Sequence, residues 1–321
     1  MNRRFALIQV VLSLAALAAV VWWGARQHPP ELPDSAGAMG WILAGVALYA
    51  VGTLVRAERW RRILHDSDVE ATRADAYALT TVGYMGNNVL PARAGEMLRV
   101  VLLSRQSGTG KRKLLGTIVA ERILDAVVLA AVFIAVVYGI LSDSALPTDK
   151  PLLVAGAAAA LLLLGIAALQ IVRRHPLLVR VREFVRPLAH APRKLVRREG
   201  TVLLALTVVI WGLEAAVYLS VGEAVALDLS PMEALYLVAL TNFFAALPAA
   251  PGSIGTFDAA VVFGMKAIGE ASMAVSYLLM LRFVLYVPIT LVGLVVLIAR
   301  YGGWSRLRES RQAPGVEPTQ A

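Results

Sequence analysis

The sequence contains no cysteine, which excludes disulfides, thiolate metal ligands and a cysteine nucleophile. Its only histidines, His28, His65, His175 and His190, are scattered and form no pair at ligand spacing, so no metal site is expected. Charged residues are scarce: they make up 17% of the 321 residues, against about 25% in an ordinary soluble domain. Nucleotide and hydrolase motifs are missing as well. Gly108-Thr109-Gly110-Lys111 lacks the glycine spacing of a P-loop, and no strand precedes it. No Ser-His-Asp order and no pair of acids stands in a large external loop. No cofactor is therefore expected, and the chain reads as a non-enzyme. The net charge of +9 and pI of about 10.1 would suit nucleic acid in a soluble protein, but no DNA- or RNA-binding module pattern is visible.

Apolar sequence fills the space these absences leave. Hydrophobic residues are 58% of the chain and the mean hydropathy is +0.68. Continuous apolar runs occur at 5–24, 38–56, 114–141, 151–172, 201–224 and 273–299. A run of about 20 residues crosses a hydrocarbon core of about 30 Å as a helix. The first ends in Trp22-Trp23 without a small-residue cleavage site, so it reads as a retained span and not a signal peptide. Two further apolar stretches, about 74–103 and 231–268, are broken near their middles by Pro, Gly, Asn and charge. Each is expected to form two short half-helices joined by a non-helical tip. Such backbone is tolerated at membrane depth only where protein or a polar cavity surrounds it.

Twenty-four of the 31 Lys and Arg residues fall into five groups. They are Arg3–Arg4; Arg56, Arg59, Arg61, Arg62 and Arg73; Arg105 and 111–113; 173–198; and 300–311. The positive-inside rule places all five on the cytoplasmic side only if each broken stretch returns to the side it entered from. The expected fold is therefore all-α: about six transmembrane helices plus two re-entrant helical hairpins in an inverted repeat. The halves are about 1–145 and 146–303, and a disordered cytoplasmic tail covers 304–321. Both termini are cytoplasmic, and the expected location is the plasma (inner) membrane. The hairpin tips share letters, Asn88-Val-Leu-Pro91-Ala and Leu247-Pro248-Ala249, each followed by a glycine, Gly95 and Gly252. Inverted repeats with broken helices are a transporter architecture. Residues 177–199 form a basic amphipathic stretch suited to an anionic membrane surface or to setting topology.

Ionisable residues inside spans are costly and need a reason. Glu121 and Asp125 lie four apart on one helix face, with Arg122 turned about 100° away. Two acids on one face need a cation between them. Arg93, Arg99, Arg282 and a substrate amine are the candidates, and Arg282 is expected to pair with Glu214 or Asp125. These charges serve either a ligand or the cohesion of the bundle. At the tips, Pro91-Ala92-Arg93-Ala94-Gly95-Glu96 leads to Arg99, and Pro248-Ala-Ala-Pro251-Gly252-Ser253-Ile254-Gly255 leads to Asp258. The half-helix that follows each tip directs free N–H groups and a positive dipole end at it, an arrangement suited to phosphate, with Arg93 and Arg99 adding donors.

The stretch Gly83-Tyr-Met-Gly-Asn-Asn-Val-Leu-Pro-Ala-Arg-Ala-Gly-Glu-Met-Leu-Arg99 resembles the transmembrane domain of the lysylphosphatidylglycerol synthase/flippase family. With Glu121-Arg-Ile-Leu-Asp125 and Pro251-Gly-Ser-Ile-Gly-Thr-Phe-Asp258, the likeness extends over almost the whole chain. The resemblance implies site residues Asn88, Pro91, Arg93, Gly95, Glu96, Arg99, Glu121, Arg122, Asp125, Pro251, Gly252, Gly255 and Asp258. It implies a flippase of a phospholipid, aminoacyl-phospholipid or polyprenyl/hopanoid-type lipid. Unlike the type member, the sequence shows no soluble synthase domain, so movement and not synthesis is expected. Expected partners are membrane lipids with an anionic or phosphate-bearing headgroup. A lipid-synthesising enzyme is a candidate partner, an oligomer is compatible, and nucleic acid is not. The alternatives are a secondary transporter of a small polar solute, a membrane transferase using a lipid-linked donor (with Glu31 and Asp34 as its support), and a partner subunit without transport.

Overall fold

A computed structural model describes residues 22, 33–90, 93–142, 198–245 and 251–302. The expected spans at 5–24 (apart from Trp22) and 151–172, the basic stretch 177–199 up to residue 197, Glu31, Pro91, Pro248 and the tail lie outside the described residues. Among those described, regular structure is entirely helical. The helices are α1 (Ala36–Asp66), α2 (Arg73–Val89), α3 (Gly95–Ser107), α4 (Lys111–Ser142), α5 (Arg198–Ala224), α6 (Pro231–Ala245), α7 (Thr256–Ala267) and α8 (Ala274–Tyr301). Short 3-10 turns lie at Pro251–Ser253 and Ala271–Met273. By length and composition, α1, α5 and α8 can each cross a membrane.

Local sequence fixes where the helices start. The Ser35 hydroxyl accepts the Ala38 N–H and opens α1. Both broken stretches begin with a capping box, in which a hydroxyl and an acid three residues on satisfy each other's backbone N–H groups. Thr72 and Asp75 do this for α2, and Ser230 and Glu233 for α6, where Pro231 takes the first helical position. α3 and α8 end on Gly108 (φ +66°) and Gly302 (φ +70°), left-handed caps that glycine adopts without a Cβ penalty.

The half-helices form as expected, two per broken stretch. The arms are 17 and 13 residues in the first hairpin and 15 and 12 in the second. At 1.5 Å per residue each arm is about 18–26 Å long, short of a full crossing of about 30 Å. The arms of the first hairpin touch backbone to backbone. A Cβ on Gly86 would lie 2.7 Å from the Gly95 Cα, and one on Gly95 would overlap the Gly83 carbonyl. In a bundle whose solvent is lipid, such small-residue contacts supply the packing that apolar burial supplies in water.

Contacts at the helix ends set the direction of each element. Lys113 donates to the Asp68 carbonyl at 2.8 Å, Arg300 to Asp75 at 2.6 Å, and Arg62 lies 3.7 Å from Glu199. The end of α1, both ends of the first hairpin, the start of α5 and the end of α8 therefore share one end of the bundle. At the opposite end the Ser220 hydroxyl donates to the Trp41 carbonyl at 2.6 Å. There α5 finishes, α6 begins, and α7 passes through a short turn into α8. Each hairpin thus starts and finishes at one end, and the two ends are opposite. Among the described residues, α1 lies along α5, α8 packs on the first arm of the first hairpin, and α4 on the first arm of the second. Two large apolar clusters, one around Tyr218 and Tyr277 and one around Trp60 and Leu79, flank the polar interior.

One boundary needs correcting. The first described span does not stop near residue 56 but runs on to Asp66. Arg56 and Arg59 are consequently not cytoplasmic loop charges; both are buried inside the bundle. Nothing between Arg56 and Asp66 breaks a helix, and Trp60, Ile63 and Leu64 continue its apolar face.

Candidate functional site: a polar chamber between two hairpin tips

Helix α4 carries its acids into a buried ion-pair network. Arg59, 2% exposed, donates through Nη1 to Asp125 at 2.7 Å and to the Thr207 hydroxyl at 2.9 Å, and lies 3.7 Å from Glu121. Arg99 donates to the other Glu121 oxygen at 3.0 Å and stacks 3.9 Å above the Trp60 ring, whose indole N–H is held by Thr117. The cations beside the two acids therefore include Arg99, one of the expected candidates, and Arg59, which the sequence reading does not name among them. This network joins α1, α3, α4 and α5. Removing one member of such a buried set leaves an uncompensated charge.

Next to it lies a chamber of about 110 Å³, enough for several water-sized groups. Both hairpins reach it: Asn87, Asn88 and Arg93 from the first, and Asn242, Ala245, Gly252, Ser253 and Phe257 from the second. Arg56, Arg122, Asp125 and Glu214 supply the remaining charge, and Tyr49, Tyr84, Trp211, Tyr218 and Tyr286 much of the rest of the wall. Arg56 is salt-bridged to Glu214 and sits 5.7–5.9 Å from the ring centres of Tyr49, Tyr84 and Trp211. Arg122, despite its turn away from the acidic face, reaches Asp125 at 3.3 Å and Glu96 at 3.3 Å.

The tips meet. Arg93 donates to the Ala245 carbonyl at 3.3 Å, and a Cβ on Gly252 would stand 3.3 Å from the Asn88 carbonyl. Asn88 in turn donates to the Thr290 hydroxyl at 2.9 Å, beside Pro288 of α8. Each tip holds a non-glycine residue in the left-handed region, Arg93 at φ +53° and Ser253 at φ +50°. Such backbone costs of order 1 kcal/mol and persists only where its surroundings fix it.

The second tip is held by Arg282. Its guanidinium donates to Asp258 at 2.7 Å, to the Gly252 carbonyl at 2.5 Å and to the Ser253 carbonyl at 3.3 Å, against the rings of Phe257 and Tyr286. Asp258 also accepts the Gly255 N–H at 2.8 Å. One expectation is overturned here. Arg282 pairs with Asp258, not with Glu214 or Asp125, because the tip folds back over α8 and brings its own carboxylate nearer. At the start of α7 Asp258 takes the N–H of the N-cap residue Gly255, one of the donors at that helix end.

A family model for the lysylphosphatidylglycerol synthase transmembrane region matches residues 7–293. The chain belongs to this family. No curated protein matches it. Within this family member, Asn88, Arg93, Arg122, Asp125, Glu214 and Gly252 line the chamber. Glu96 stands one contact behind, on Arg122 and, at 3.9 Å, Arg93. Arg99 and Glu121 are buried in the ion-pair network. Asp258, Arg282 and Gly255 build the second tip, with Pro251 in its 3-10 turn, and Gly95 packs the first hairpin. Asp34 is exposed beside the Ser35 cap and does not reach the chamber. Arg56, Arg59 and the aromatic wall are the residues that sequence reasoning missed. The unbroken helical pattern through Asp66 could have revealed the two arginines. The aromatics are dispersed over α1, α2, α5, α7 and α8 and carry no local signal.

Proposed function

We propose that the protein carries a lipid headgroup between leaflets through the chamber where the two hairpins meet. The supporting observation is a charged, aromatic-walled cavity formed by two broken-helix tips inside an otherwise apolar bundle. Polar backbone at such depth is sustained only around a cavity or protein, and broken helices meeting across inverted halves are the usual site of transporters. The family points to a lipid-related membrane role. In this reading the hairpins are re-entrant, the first from the cytoplasm and the second from outside, and the repeat halves are about 1–145 and 146–303. The basic groups, without Arg56 and Arg59, remain on one side, so both termini are cytoplasmic and the location is the plasma membrane. Arg93 and Arg122 meet the phosphate, while acyl chains stay in the bilayer. The protein acts as a carrier and not an enzyme, beside whichever enzyme makes its lipid.

The test is leaflet exchange in proteoliposomes containing the purified protein, with headgroup accessibility to an impermeant reagent as readout. The reading expects exchange faster than in empty vesicles for at least one phosphate-bearing lipid. Equal rates with and without protein, across phospholipids and polyprenyl phosphates, would overturn it. Uptake of a soluble polar solute with lipids left static would favour a secondary transporter instead.

A further inference from the structure

We infer that the chamber accepts a net-anionic headgroup bearing neutral hydroxyls and rejects a net-cationic one, so that it distinguishes a phosphodiester lipid from its aminoacylated derivative. This deepens the lipid-carrier reading and rests on it.

Among the described residues the acids facing the chamber are Asp125 and Glu214, and each is already neutralised from within. Glu214 holds Arg56. Asp125 holds Arg59 at 2.7 Å and Arg122 at 3.3 Å. Glu96, just behind, is engaged by Arg122 at 3.3 Å. An entering amine would have to displace an internal arginine to find a carboxylate.

Among the described residues, the charges in and around the chamber do not cancel. Six arginines (56, 59, 93, 99, 122 and 282) face five acids (96, 121, 125, 214 and 258). The excess falls on Arg93. Among the described residues its nearest carboxylate is Glu96 at 3.9 Å, which Arg122 holds more closely, and its hydrogen bond goes to the neutral Ala245 carbonyl. Its side chain is 35% exposed, on strained backbone at the chamber edge. In a poorly screened interior an unmatched cation attracts an anion and repels a second cation strongly. Two buried polar atoms of lining residues also lack partners, the Trp211 Nε1 donor and the Asn87 Oδ1 acceptor. A hydroxyl can serve either one.

The full chain in proteoliposomes tests this with two lipids of matched acyl chains. Phosphatidylglycerol exchange is read by periodate cleavage of its headgroup diol. Lysylphosphatidylglycerol exchange is read by trinitrobenzenesulfonate attack on its amines. The inference expects the protein to move phosphatidylglycerol about tenfold faster than lysylphosphatidylglycerol, a difference that corresponds to one unfavourable charge contact. Arg93→Gln should reduce the phosphatidylglycerol rate toward that of the lysyl lipid, while Arg93→Lys should retain the preference. Equal or faster movement of lysylphosphatidylglycerol by the wild-type protein overturns the charge rule and leaves the carrier reading standing. Movement of neither lipid, or of any other, overturns both. Uptake of glycerol phosphate without lipid exchange keeps the charge rule and overturns the lipid source.

Discussion

The two hairpin tips are built alike and used differently. Both follow a capping box, both hold one non-glycine residue in the left-handed region, and both end at the same chamber. At the second tip an arginine turns inward. Arg282, 19% exposed, ties Asp258 and two tip carbonyls into one unit. At the first tip the arginine turns outward, and Arg93 makes only a long contact with Glu96 and a bond to the facing hairpin. The same residue type serves as a clamp in one case, reaching the tip from α8, and as an unmatched charge in the other, standing on the tip's own left-handed backbone. The difference lies in the neighbouring carboxylate. Asp258 belongs to Arg282 alone among the described ion pairs, whereas Glu96 is shared with Arg122.

Five substitutions break or sharpen this contrast. The largest effect is expected from Arg282→Ala, which leaves Asp258 as an uncompensated buried charge and unties the Gly252 and Ser253 carbonyls. A loss of about 3–5 kcal/mol is expected, seen as a collapse of thermal stability in detergent. Next comes Gly95→Ala, whose new methyl would strike the Gly83 carbonyl and part the arms of the first hairpin. Overpacking of this kind costs about 1–3 kcal/mol, and a melting series in detergent measures it. Removing the capping hydroxyls, Thr72→Ala and Ser230→Ala, should cost about 1 kcal/mol each. Near-equal values at the two hairpins would show that their entrances are equivalent even though their tips are not. Arg93→Gln should be the mildest for folding, about 0.5 kcal/mol or less, as is usual for a loosely paired, partly exposed charge. A stability loss as large as that of Arg282→Ala would abolish the contrast.

Much of this architecture was legible in the letters. Long apolar runs, the placement of Lys and Arg, and the Pro and Gly interruptions gave an all-helical membrane protein with two broken stretches. Charge and amide groups inside apolar sequence need a reason, and Asn88, Arg93, Asp125 and Glu214 line the chamber, as does Arg122, which the family resemblance implied. What failed was partner choice. Arg56 and Arg59 stand at the edge of an apolar run, where a loop charge and a buried charge look the same. Their partners lie 158 and 66 residues away, at Glu214 and Asp125. The pairing of Arg282 depends on the second tip folding back toward α8, a tertiary event that no local spacing encodes. The entrance signals could have been read: Thr72-Arg-Ala-Asp75 and Ser230-Pro-Met-Glu233 are the same capping pattern at the start of each broken stretch.

The central claim is that the two tips meet across the chamber. The absence of cysteine makes a direct measurement clean. In native membranes, Asn88→Cys and Gly252→Cys introduced together should cross-link within one chain through the shortest bifunctional thiol reagent, because a side chain on Gly252 begins 3.3 Å from the Asn88 carbonyl. The left-handed backbone at Gly252 adds strain of about 1–2 kcal/mol, so each single variant is first shown to fold. Efficient cross-linking is the predicted result. Two folded, reactive thiols that no short reagent can join would contradict the account.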